Sequence, residues 1–225
     1  MVNIKENLER IHEKIEKALE RSGRKDSVTL VAVTKTVEPE RIIQAIECGV
    51  SIIGENRVQE ALEKFKIIGN RAEWHMVGHL QRNKVKDAVK IFKMIQSIDK
   101  VETAAEIQKR TDNPIDILIE INSSGEETKY GIDPGDASKL VEEIIQMNKL
   151  RIRGIMTIGP LTDDEKLIRK AFSLTRETFE KLKNSYPELN LEILSMGMSG
   201  DYEIAIEEGS NMVRIGTAIF GERRY

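Results

Sequence analysis

The feature that most constrains this chain is an alternation. Eight short apolar runs, each followed by a segment of helical periodicity, fill 225 residues with no linker between them. The runs are VTLVAVTKT (28–36), VSIIG (50–54), EWHMVG (73–78), FKMIQSI (92–98), IDILIEI (115–121), RIRGIMTIG (151–159), LEILSMG (191–197) and MVRIG (212–216). Aliphatic and β-branched runs bounded by turn signals read as parallel strands buried on both faces. Between them, sets such as Val58, Ala61, Leu62, Phe65 and Leu140, Val141, Ile144, Ile145 repeat at three and four residues, the stripe of an amphipathic helix. Helix starts are marked by Pro39, by Asp99 with Glu102, by Asp133-Pro134 and by Thr162 with Glu165; Gly49 and Gly209 mark stops. An open doubly wound sheet is the rival α/β arrangement, but no G-x-G-x-x-G follows the first strand. The expected fold is a (β/α)8 TIM barrel forming a single domain over residues 1–225. An extra N-terminal helix precedes it, with Ile4, Leu8, Ile11, Ile15 and Leu19 on one stripe, too short for a coiled-coil seam.

Composition excludes several function classes. The 35 basic and 38 acidic residues give a net charge of −3, no electrostatic footprint for nucleic acid or an anionic membrane. Cys48 is the sole cysteine, so no internal disulfide forms and a reducing compartment is expected. The charged N-terminus carries no signal-peptide core, and no apolar run reaches the length of a membrane span. The expectation is a cytoplasmic monomer with no nucleic-acid or membrane partner.

In a barrel the chemistry gathers at the C-terminal ends of the strands, and phosphate commonly sits beside the loops after strands seven and eight. Lys35 closes the first strand. It either swings to water or serves as a functional amine able to form a Schiff base. The last two turns read SMGMSGD (195–201) and RIGTAIFG (214–221), each with glycines and a hydroxyl, Ser199 or Thr217, beside a helix start. Backbone N–H groups in such turns bind anions. An amine facing a phosphate cup implies a phosphorylated carbonyl compound. Two chemistries fit: a sugar-phosphate aldolase with its own Schiff base, or pyridoxal 5′-phosphate (PLP). Arg214, in the last strand, pairs with a carboxylate or, if PLP is bound, donates to the pyridine nitrogen. A permanently protonated donor leaves that nitrogen unprotonated and the ring a poor electron sink.

VAVTKT, IGENRVQE (53–60), WHMVGHLQRNK (74–84), GEETKYGI (125–132), GIMTIG (154–159), SMGMSGDYEIAI (195–206) and VRIGTAIFG (213–221) together resemble the PLP homeostasis proteins of the YggS/PROSC type, across essentially the whole chain. The resemblance implies the barrel of the alanine racemase N-terminal domain, PLP held as an internal aldimine on Lys35, and a part in vitamin B6 homeostasis without established turnover. Apo-PLP enzymes are the implied recipients. It further implies Arg214 against the pyridine nitrogen, Ser199, Gly200, Gly216 and Thr217 as the phosphate cup, and Asn56 beside the cofactor. Met156 and Met196 would line the pocket and His79 its wall. His75 reads as a satisfied core histidine, and Lys129 as a solvated loop lysine. Alanine racemases add a C-terminal domain that supplies a second base; this chain stops at Tyr225, and the tyrosines expected near the mouth are Tyr130 and Tyr202. A PLP-dependent racemase and a cofactor-free aldolase remain the alternatives.

Overall fold

The structure, a computed structural model, describes residues 2–126 and 128–222. Its eight strands are β1 (Thr29–Val33), β2 (Ile52–Glu55), β3 (Glu73–Met76), β4 (Met94–Ile98), β5 (Ile115–Ile121), β6 (Leu150–Thr157), β7 (Ile193–Ser195) and β8 (Met212–Ile215). They close in sequence order into a barrel, with every pair parallel and β8 returning to β1 through Thr29–Met212 to Ala32–Ile215. Helix α1 (Ile4–Arg21) precedes the barrel; α2 (Pro39–Glu47), α3 (Val58–Ile68), α4 (Val85–Ala88), α5 (Val101–Arg110), α6 (Ala137–Ile144), α7 (Glu165–Ser185), α8 (Tyr202–Glu207) and α9 (Thr217–Phe220) follow the strands in turn. Both the closed barrel and the extra helix match the sequence expectation.

Two apolar layers form because strand side chains alternate in direction. Val31, Val77, Met94, Leu118, Met156 and Met212 make the plug inside the barrel. Ile53, Ile95, Ile117, Ile155 and Val213 point outward under the helices. The same alternation decides what reaches the mouth. Lys35 is in phase with Val31 and Val33, Glu120 with Leu118, and Arg214 with Met212. Between Ile95 and Ile98 the register shifts, and both residues belong to the outer layer, which brings Asp99 into phase with the interior.

Helix α1 buries Ile4, Leu8, Ile11, Ile15 and Ala18 against α8, α9 and α2, with Leu19 partly buried at its end. Lys14 and Arg21 bind Glu203, and Arg21 also binds Glu207, across the α1–α8 seam. Three expected helix starts move. Helix α5 begins after Lys100 with no side-chain cap, α7 is capped by Asp164 rather than Thr162, and α8 starts at Tyr202 rather than at Ser199, where the sequence reads a helix to Glu208. Asp133 caps the turn before α6 as expected, accepting the Gly135 N–H at 2.7 Å. Among the described residues no helix is long and apolar enough to cross a membrane.

Candidate functional site

Lys35 is half-buried on the turn after β1, where it lines a cavity of about 840 Å³ together with Val33, Gly216 and Thr217. The cavity runs outward past Arg41 and Gln44 of α2 to Asn3. Its neighbours in sequence are clamped from behind. Thr34 Oγ1 donates to Glu55 Oε1 at 2.6 Å, and the Lys64 ammonium donates to the Thr34 carbonyl at 2.6 Å and to Glu55 and Glu60 at 2.7 Å each. The Thr36 N–H donates to Glu60 at 2.5 Å. Thr36 needs that hold, because its φ of 62° lies in the left-handed region that a β-branched residue avoids. Glu55 is fully buried, and burial pushes its carboxyl up against the pull of Lys64. The sequence reading missed Lys64. It lies three residues after Ala61 and four before Ile68 on the buried side of α3, so the spacing that reveals it was present.

The last two turns meet. Ser199 Oγ accepts the N–H groups of Gly216 and Ala218, both at 3.2 Å. Gly216 passes close to β1, where a Cβ would stand 3.1 Å from the Val33 carbonyl oxygen. Thr217 and Gly200 are exposed at the rim. Just below, Arg214 is buried and donates to Ser195 Oγ and to the Thr157 carbonyl, each at 2.7 Å. No carboxylate among the described residues pairs with it within 4.0 Å; Asp201 and Glu120 attract it from farther off. Burial pushes the guanidinium down to about 10, which leaves it protonated at neutral pH. Its position is set by a chain of hydrogen bonds down the barrel axis: Ser195 donates to Gln96 at 2.7 Å, Gln96 lies 2.9 Å from His75 Nδ1, and His75 Nε2 lies 2.8 Å from Glu73. His75 is the satisfied core histidine its place in the strand suggested.

The opposite arc carries Asn56, His79, Asp99 and Glu120. Gly78 runs so close to Asn56 that a Cβ would lie 2.5 Å from the Asn56 carbonyl oxygen, so only glycine permits the approach. The His79 ring stacks on Tyr130 at 3.9 Å between centroids and 9° between planes. Burial, with Asp99 adding repulsion, pushes the Glu120 carboxyl up to about 7. Asp99 and Glu120 escaped the sequence reading. Asp99 imitated a helix cap, and Glu120 lies within a strand run in which it was not singled out.

Some expected residues fall elsewhere. Met156 is fully buried in the interior plug, beneath the mouth rather than on it. Met196 belongs to the outer layer, since Ser195 takes the inward phase, and it does not line the mouth. Tyr202 is buried in the outer core, with burial pushing its hydroxyl up to about 12. Lys129 is not solvated: it donates to the Gly159 carbonyl at 2.9 Å and pairs with Glu126. Arg41, unremarked in the sequence, adds a cation to the cavity wall and donates to the Phe220 carbonyl.

Against known proteins, the family described as alanine racemase, N-terminal domain, matches residues 6–224. A pyridoxal phosphate homeostasis protein of Aquifex aeolicus is 43% identical over 229 residues, with all of both chains covered. The chain belongs to the pyridoxal phosphate homeostasis protein family. The solved structure of PipY from Synechococcus elongatus, described with PLP bound, superposes with a TM-score of 0.85 at 31% identity, over 97% of this chain and all of that one. An alanine racemase of Clostridium difficile shares the barrel at a TM-score of 0.73 and 19% identity, and this chain covers 57% of its length. That likeness is one of fold.

Proposed function

We propose that this chain binds PLP through the Lys35 amine and serves PLP homeostasis in the cytoplasm, holding the cofactor for release to apo-enzymes without turnover of its own. The observation that carries the reading is one cavity bordered by Lys35, Gly216 and Thr217, beside joined β7 and β8 turns. The residues fit the group. The Lys35 amine and the Thr217 hydroxyl border the same cavity, and glycine at 216 leaves room where a Cβ would crowd the Val33 carbonyl. When bound, PLP would supply an aldehyde for the amine and a ring able to take up electrons.

The chain's own groups limit that chemistry. Arg214, protonated at neutral pH, would meet a pyridine nitrogen with N–H donors and no proton to give, which would keep that nitrogen an acceptor. Racemisation needs a proton donor on each face of the substrate carbon. Tyr202 cannot serve from the core, which leaves Tyr130, stacked by its ring on His79, as the remaining tyrosine expected near the mouth. Thr217→Val removes a hydroxyl donor from the rim, and PLP retention on dialysis is expected to fall about tenfold. Unchanged retention would remove Thr217 from the cup. With alanine of one enantiomer, the loaded protein is expected to leave optical rotation unchanged; Lys35-dependent racemisation at a physiological rate would overturn the holder reading.

A further inference from the structure

Three acceptor oxygens and one imidazole nitrogen, an acceptor when Nε2 carries the ring proton, crowd one arc of the mouth with no hydrogen-bond partner among the described residues. Asn56 Oδ1, His79 Nδ1, Asp99 Oδ1 and Glu120 Oε2 are each buried without a hydrogen-bond partner among the described residues. They stand at the ends of consecutive strands, β2 to β5. Asp99 is 8% exposed and Glu120 only 3%. Glu120 is in phase with Leu118 of the interior plug, Asp99 sits close enough to raise it, and His79 Nδ1 is 3.8 Å from Asp99 Oδ2. Each buried acceptor left unpaired costs about 1–3 kcal/mol. Four together on one wall describe the outline of something rich in donors.

The cations nearby are committed. Arg214 donates to Ser195 and Thr157, and Lys129 to Gly159 and Glu126. A divalent metal does not suit the arc, because no group of three or more His, Cys, Asp or Glu among the described residues is arranged to hold one. A primary ammonium group does suit it: three N–H donors, no acceptor, and a positive charge for the two carboxylates. The same carboxylates repel the α-carboxylate of a free amino acid.

We propose that Asn56, His79, Asp99 and Glu120 form a subsite for the primary ammonium group of an alkyl amine, of the kind a lysine side chain carries. It rests on the PLP reading for its purpose, since β4 and β5 lie across the barrel from β1 and β8, the strands that carry Lys35 and the joined last turn. Its binding needs no cofactor, so the two readings fail separately.

The test is a thermal unfolding series on cofactor-free protein at pH 8 with 100 mM methylammonium, tetramethylammonium or glycine. Methylammonium is expected to raise Tm by about 4 °C over tetramethylammonium, the shift for a ligand at roughly ten times its dissociation constant in a chain of this length. Glycine is expected to give no rise. Glu120→Gln and Asp99→Asn, which keep side-chain shape, should each lose the difference between the two cations. Equal effects of the two cations on the native protein would overturn the subsite, as would variants that keep the difference. A rise with glycine matching that of methylammonium would overturn the alkyl-amine assignment.

Discussion

Glu120 shows how a single carboxylate in the barrel mouth sets a pH dependence. Its pKa is raised to about 7 in the folded chain, from 4.5 as the ordinary value. The folded state therefore binds its proton more tightly than the unfolded chain. That contribution is fully present below about pH 4.5, and it is lost as pH climbs through about 7. The penalty at pH 8 is on the order of 3 kcal/mol. Glu120→Gln should be close to wild type in urea unfolding at pH 5 and more stable by a few kcal/mol at pH 8. Equal stability of the two proteins at pH 8 would mean that the carboxylate is not held raised. Arg214 is the second residue whose surroundings decide its role. Arg214→Gln removes a charged donor while leaving the Ser195–Gln96–His75 chain below it, so the fold is expected to persist and PLP affinity to fall about tenfold to hundredfold by spectroscopic titration.

At the level of elements, the junction of β1, β2 and α3 is held by charge. Lys64 threads three acceptors behind the Lys35 turn, and Glu55 has no other cation within ion-pair distance among the described residues. Removing one partner of a buried pair strands the other. Lys64→Ala is expected to lose about 3–5 kcal/mol in equilibrium unfolding, and Lys64→Met combined with Glu55→Gln to recover part of it. If the single variant were as stable as wild type, the clamp on the turn would be dispensable. Helix α1 is held instead by apolar packing. Ile11→Ala, in the middle of its buried stripe, should cost about 2–4 kcal/mol without changing PLP retention, because Ile11 does not line the cavity.

Across the whole molecule, the legible part was what repeats. Eight strand runs alternating with helical segments favoured a closed barrel over an open sheet, and the glycine–hydroxyl turns at 195–201 and 214–221 pointed to the same rim as Lys35. The misjudged residues share a cause, which is phase. Met196 looked like a strand-end wall residue, yet Ser195 holds the inward position and Met196 must then face the helices. Asp99 was displaced into the interior by a register shift that no local pattern announces. Glu120 and Lys64 carry charge at buried positions that the apolar pattern alone does not mark as functional. All of these depend on closure of the sheet, which turns one strand face into a lumen and makes buried charge tolerable where a ligand or partner charge can meet it.

The central claim is that the Lys35 amine holds PLP against the joined turns of β7 and β8. Its most direct measurement is the visible absorption spectrum of the protein after incubation with PLP and exhaustive dialysis, for wild type and Lys35→Ala side by side. The account predicts a retained band from about one cofactor per wild-type chain and none from the variant. A wild-type protein that emerges colourless, or a Lys35→Ala protein that keeps the same band, would contradict it.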